Sequence, residues 1–336
     1  MQEKIHVAFC SDKNNIPFLA VALKSIVDNS SAENEYVVYV AHDGLTCYEY
    51  GYLRLLIKGR RNFELKFIDM NGGGGYAEKF ENLFTSGHIT LAAYWRFLLP
   101  EVLKDVNKLI YLDTDVVVID DLSKLYVEDV SEVYCAGCLD IGVAKELSVS
   151  KEAREVLSSL GYKDFSQYIN SGVLLINAEY ARRKKIFNKM LVLANTNAFP
   201  FHDQDVINYT LMNEGGAKVL NYKWNFAIHK GFDAYPAQIV EDVIDRISKM
   251  DISIIHYIGS EKPWKCINRP LRELWVHYAA ETPFFAGINM SPNSDVEKDI
   301  ARSGKIRWGR RLEKLLIPKF IHQIKRNLLN KSEGTV

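Results

Sequence analysis

Two acidic residues one apart, Asp113 and Asp115, stand between the apolar runs Leu109–Leu112 and Val116–Ile119. Short, largely β-branched runs of this kind make buried strands. Carboxylates buried between them are costly unless a cation or strong donors meet them. Alternate residues of a strand share a face, so the two side chains are expected to converge at a strand exit, where open α/β sheets hold their ligands. Two hard oxygen ligands on one side suit Mg²⁺ or Mn²⁺, with the remaining positions left to phosphate and water. That is the chemistry of a nucleotide-sugar or phosphoryl site.

The hydropathy pattern supplies the elements that carry this pair. His6–Cys10 reads as a strand, followed by the polar turn Ser11–Asn15 and a helix with apolar positions at Phe18, Ala20, Val21, Leu23, Ile26 and Val27. Tyr36–Ala41 and Phe63–Asp69 read as further strands around a helix over 47–57. This β-α-β-α-β rhythm predicts a doubly wound, mostly parallel sheet with helices on both faces. In the first turn Asp12 and Asn14 could read a base or ribose, or could cap the helix. Asn71 and Gly72–Gly75 read as a plain flexible connection or a loop over the site, and not as a phosphate-binding P-loop, because no Lys-Ser or Lys-Thr follows.

Ile89–Leu99 is apolar at helical spacing, and its end before Pro100 fits a helix stop. Arg96 is its single charge and needs an anionic partner, a diphosphate or a carboxylate. Strands are expected over 133–139, ending at Asp140, and over 168–177, with Asn170 and Ser171 at its mouth. His202, Asp203, Gln204 and Asp205 open a helix, where acids commonly answer the dipole. Ile252–Gly259 is a strand with His256 near its end and Gly259, Lys262, Pro263 and Trp264 beyond it. A histidine there is either a satisfied core residue or part of a pocket for a charged group.

The chain has 336 residues, is 48% hydrophobic and 12% aromatic, and balances 42 basic against 42 acidic residues. Such a composition supports a large core and gives no global pull towards nucleic acid. No apolar run approaches the roughly 18 residues of a membrane span, and the first residues lack a signal-peptide pattern. A cytoplasmic protein is expected. Cys135 and Cys138 have the spacing of half a zinc site or a redox pair, but no second pair follows, and Cys10 and Cys138 read more easily as small buried residues.

Six motifs, in order, resemble glycosyltransferase family 8, which includes glycogenin and the bacterial lipopolysaccharide α-galactosyl- and α-glucosyltransferases. They are Ala8–Asn14, Ala93–Arg96, Tyr111–Asp115, Asn170–Asn177, Asp203–Asp205 and His256–Trp264. The resemblance implies a GT-A fold over residues 1–280, with a nucleotide-sugar half over about 1–120 and an acceptor half over about 121–280. It implies that Asp113, Asp115 and His256 bind Mn²⁺ in preference to Mg²⁺, and that the donor is UDP-glucose or UDP-galactose. Ser11, Asp12, Asn14 and Thr114 would face the nucleotide, and His88, Gly259 and Lys262 its diphosphate. Arg96, Asp140, Asn170, Ser171, Asp203 and Gln204 would line the sugar pocket, with Gln204 facing the anomeric carbon. The implied reaction is α-retaining transfer to a hydroxyl of a glycan or lipid-linked saccharide. The chain departs from many relatives at Asn15, where they carry a tyrosine that stacks on uracil.

Two other readings differ in their products. Asp113-Thr-Asp-Val-Val also fits a haloacid-dehalogenase-like phosphatase with Asp113 as nucleophile, although three strands precede it where that motif normally ends the first. A non-catalytic membrane-surface protein would need no metal and bind no UDP. Residues 281–336 are expected to form a separate helical tail. Between Lys305 and Lys331 nine basic residues stand against Glu313, with apolar residues at helical spacing. That pattern predicts amphipathic helices on an anionic membrane surface at the inner face of the cell membrane, the alternative being a C-terminal helix packed on the domain.

Overall fold

The structure is a computed structural model that describes residues 3–72, 79–80, 83, 90–143, 150–159, 161, 167–196, 199–228, 252–266, 269–288 and 290. His88, Gly73–Gly75 and the basic segment 305–331 lie outside the described residues.

Seven strands form the main sheet, in the order β3-β2-β1-β4-β7-β6-β8. They are β1 (Ile5–Ser11), β2 (Tyr36–His42), β3 (Phe63–Asp69), β4 (Lys108–Leu112), β6 (Cys135–Leu139), β7 (Ile169–Asn177) and β8 (Lys218–Val219). Neighbours pair in parallel except at β7, which runs antiparallel to both β4 and β6. Helices Ile16–Asn29 and Cys47–Leu56 contribute to the core on one face, and helices Ala178–Lys184, Ile186–Thr196 and His202–Asn213 to that on the other. A second sheet holds β5 (Val116–Val118), β10 (Ile254–His256) and β9 (Phe226–Ala227), with β10 in the middle. Trp264, Trp275 and Tyr278 pack on it in a third apolar cluster. The fold is mixed α/β of the GT-A type.

Three local features differ from the sequence reading. Asp113, Thr114 and Asp115 lie on no strand; they form the turn by which the chain leaves β4 and enters β5. Leu112 pairs with Val173 in the large sheet and Val116 with His256 in the small one, so this turn joins the sheets. The acids converge because each end of the turn is fixed by a different sheet, and strand alternation plays no part. The apolar stretch before Pro100 is a 3-10 helix, Leu91–Phe97, followed by the short helix Leu99–Val102. Pro100 lies in the first turn of that second helix, where its missing N–H costs nothing, so it starts a helix and does not stop one. Cys135 and Cys138 are buried and in no disulfide, and burial pushes the Cys135 thiol well up, which fits small core residues.

Candidate active site

The turn between the sheets is held from both sides. The Asp113 N–H donates to the Gly172 carbonyl of β7 (2.8 Å), and the Tyr257 N–H donates to the Asp115 carbonyl (3.0 Å). His256 ends β10, so pairing Val116 with His256 brings the ring alongside the acids. His256 Nε2 lies 3.2 Å from Asp115 Oδ1 and 3.7 Å from Asp113 Oδ2. One ligand atom from each of the three residues can be chosen so that all lie within 4.8 Å of one another. Room for them depends on Gly172. A Cβ there would stand 2.1 Å from His256 Cε1 and 2.8 Å from Asp113 Oδ2.

The two acids are supported unequally. Asp113 Oδ1 accepts from Arg96 Nη2 (3.0 Å) and from the Tyr111 hydroxyl (2.7 Å), leaving Oδ2 towards His256. Burial pushes the Tyr111 phenol well up, so it stays a neutral donor. Lys262 Nζ donates to Asp115 Oδ2 and to the Tyr257 carbonyl, the latter at 2.9 Å. Burial works to raise the Asp115 carboxyl, but Lys262 and His256 outweigh it and hold it well below the usual carboxylate range.

Arg96 joins this group to the opposite wall. The 3-10 helix turns its guanidinium inward, where Nε donates to the Ala93 carbonyl (2.7 Å) and Nη1 to the Ser171 carbonyl (2.7 Å). Nε also lies 3.2 Å from Asp203 Oδ2, and the Tyr111 ring stacks 4.4 Å from the guanidinium. Burial opposes the charge on Arg96, but Asp113 and Asp203 raise its pKa above the ordinary value. Burial pushes the Asp203 carboxyl up to about 6 against the pull of Arg96.

Beyond Arg96 the polar side chains satisfy one another. Asp140 Oδ2 accepts from Asn170 Nδ2 (2.8 Å) and Gln204 Nε2 (3.0 Å), while its Oδ1 accepts from the Val143 N–H (2.8 Å). Gln204 Oε1 accepts from the Ser171 N–H (3.0 Å). Of the two helix-opening acids, Asp205 takes the local role: it accepts from the Phe201 N–H and the Tyr168 hydroxyl, both at 2.7 Å. His202 opens this helix with a left-handed φ of 52° and lines the cleft.

Ser11, Asp12, Asn14, Arg96, Asp113, Thr114, Asp115, Asp140, Asn170, Ser171, Asp203, Gln204, His256, Gly259 and Lys262 all line one cleft of about 1270 Å³. Asp12 caps the turn Lys13–Asn15 through the Asn14 and Asn15 N–H groups, and its other oxygen accepts from Asn15 Nδ2 and Thr90 Oγ1. Asn15 is therefore committed to Asp12, and the aromatic surface at this end of the cleft is Phe18 stacked on Trp264 at 3.7 Å. Gly259 takes a φ of 76°, the left-handed region that favours glycine. Sequence reasoning gave no role to Tyr111, Gly172 or Phe18. The first two lie inside quoted motifs and Phe18 on the first helix's apolar stripe, so each had a signal.

The Glycosyl transferase family 8 model matches residues 6–268. The chain belongs to that family. Curated relatives include General stress protein A of Bacillus subtilis, 27% identical over 289 residues, covering 83% of this chain and 94% of that protein. Lipopolysaccharide 1,2-glucosyltransferase of Escherichia coli is 25% identical over 303 residues, covering 87% of this chain and 80% of that protein. Among solved structures, the galactosyltransferase LgtC with donor and acceptor sugar analogues superposes with a TM-score of 0.64 at 24% identity, covering 83% of this chain and 96% of that one. The bifunctional glycosyltransferase WbbM gives a TM-score of 0.76 at 19% identity; it covers 88% of this chain, which spans 52% of WbbM. At those identities the two structures support the fold alone. Family 8 membership displaces the phosphatase reading.

Proposed function

We propose that this family 8 glycosyltransferase transfers glucose or galactose from a UDP-sugar, with retention, to a hydroxyl of a glycan or lipid-linked saccharide. The observation that carries the reading is the meeting of Asp113, Asp115 and His256 beside Lys262, in the cleft that Asp140, Asn170, Asp203 and Gln204 also line.

The donor set fits a divalent cation. Two carboxylates and an imidazole nitrogen converge where Gly172 leaves room, and a nitrogen ligand favours Mn²⁺ over Mg²⁺. When bound, the ion would offset negative charge on the departing UDP. Lys262, which contacts Asp115 Oδ2, would add a second positive charge there. Arg96 holds Asp113 and Asp203 in place, and the Asp140–Asn170–Gln204 hydrogen bonds fix the wall against which the sugar would rest. Gln204 is an amide with both ends engaged, and an amide is a poor nucleophile. A front-face displacement is therefore preferred, in which the leaving phosphate oxygen takes the proton of the acceptor hydroxyl and the α configuration is kept.

The relationship to lipopolysaccharide 1,2-glucosyltransferases favours a cell-surface saccharide as acceptor. Among the described residues no helix is long and apolar enough to cross a membrane. The basic segment 305–331 would bring the enzyme to an anionic membrane surface, a role testable by vesicle flotation of the full chain against a chain lacking 305–336. For the reaction, UDP-glucose and UDP-galactose are each incubated with Mn²⁺, with and without chelator. Metal-dependent UDP release from one of them supports the reading. No UDP release and no UDP affinity would support the non-catalytic alternative.

A further inference from the structure

Asn225 is 1% exposed and ends the 3-10 turn Tyr222–Asn225, which leads into β9 beside β10. No step of the proposed reaction uses it. Its orientation follows from its neighbours. The Gly172 backbone N–H donates to Asn170 Oδ1 (3.0 Å), which identifies that atom as the oxygen, and Asn170 Nδ2 donates to Asp140 Oδ2 (2.8 Å). Asn225 must therefore present its Nδ2 to Asn170 Oδ1, 2.8 Å away. Its Oδ1 then faces His256 Nδ1 at 3.0 Å and accepts from it. A hydrogen fixed on Nδ1 leaves Nε2, the nitrogen beside Asp113 and Asp115, to meet a cation.

We propose that Asn225 is a positioning residue that sets the His256 ring for metal binding and ties it to the Asn170–Asp140–Gln204 wall. The metal half and the sugar half of the site then form one hydrogen-bonded unit: His256 to Asn225, Asn225 to Asn170, and Asn170 and Gln204 both to Asp140. The inference rests on the reading of His256 as a metal ligand. Asn225 acts through other residues, and its two arms can be cut separately. Asn225→Ala removes both. Asn225→Asp keeps an acceptor for the imidazole N–H but sets an oxygen against Asn170 Oδ1, so it severs only the arm towards the sugar wall.

The test uses the full chain labelled with ¹⁵N-histidine, with the His256 signal assigned by its loss in His256→Gln. Metal-free wild type should show a slowly exchanging Nδ1–H on His256 that Asn225→Ala loses and Asn225→Asp retains. A His256 Nδ1 without hydrogen in wild type overturns the proposal. Electron paramagnetic resonance then measures Mn²⁺ affinity without donor. Asn225→Ala should weaken it by about 10–100-fold, the range for residues that orient a metal-binding histidine. Asn225→Asp should leave it within about threefold, because the imidazole keeps its acceptor, yet lower kcat for UDP-sugar turnover at saturating Mn²⁺. Unchanged Mn²⁺ affinity in Asn225→Ala, or full kcat in Asn225→Asp, contradicts the coupling. Should Asn225→Ala not fold, the near-isosteric Asn225→Asp carries the test. If wild type binds no Mn²⁺, the metal reading fails, and the Nδ1–H signal still decides the role of Asn225.

Discussion

On one wall of the cleft, Asp140 accepts hydrogens from Val143, Asn170 and Gln204, and Asp203 pairs with Arg96. On the other, Asp113 Oδ2 and Asp115 Oδ1 face each other's charge and a histidine nitrogen. The first wall is a network of mutually hydrogen-bonded side chains that reaches the second through Arg96 and Asn225. The second is held by backbone bonds from two sheets, with Lys262 as the cation in contact with Asp115. Asp140 and Asp203 are buried and Asp113 and Asp115 half-buried; on the proposed reading the first wall holds a shape and the second receives a charge. Changes to the second wall should strike binding and turnover, and changes to the first or to the link between them should strike stability as well.

The sharpest break of this contrast is Asp115→Ala. It should reduce UDP-sugar turnover by about 10³-fold or more, beyond the roughly 100-fold that loss of an orienting neighbour causes. Its thermal unfolding should shift less than that of an Arg96 variant, because loss of the Lys262 and His256 contacts is offset in part by relief of like-charge repulsion from Asp113. Arg96→Met cuts one of the two links between the walls and leaves Asp113 and Asp203 without their shared cation. It should destabilise the fold by about 3–5 kcal/mol in urea denaturation, the range for breaking a buried ion pair from one side. Gly172→Ala drives a methyl into the His256 ring and should cost about 1–3 kcal/mol of stability while weakening Mn²⁺ binding.

A further effect is expected at Asp205, beside that network. Burial pushes the Asp205 carboxyl up to about 6 from an ordinary 3.8, although Tyr168 and Phe201 donate to it. A carboxyl raised on folding keeps its proton where the unfolded chain has lost it, so its contribution is full below about pH 4 and is lost as pH rises to about 6. Stability should therefore fall across that window by about 1–3 kcal/mol from this group. Asp205→Asn should flatten the fall, as read by urea denaturation between pH 4 and 7.

Much of this was legible beforehand for a physical reason: an acid pair between apolar runs is expensive, and the sequence shows both the cost and the position. The strands and the helix after β1 follow from period and composition. The antiparallel course of β7 does not, because all but its last residue are buried and burial carries no direction. The turn geometry of Asp113 and Asp115 was hidden too, since the sequence does not say that β4 and β5 belong to different sheets. Asn225 gave no sign of its place. It stands between Trp224 and Phe226 as an isolated polar residue, and its partner His256 is 31 positions away.

The central claim is that Asp113, Asp115 and His256 together take a divalent cation that the nucleotide then shares. Titration of Mn²⁺ into the full chain, with and without UDP, followed by electron paramagnetic resonance, tests it most directly. The account predicts one bound ion per chain, tighter binding when UDP is present, and loss of that ion in Asp115→Ala and His256→Gln alike. Equal Mn²⁺ binding by wild type and both variants would contradict it.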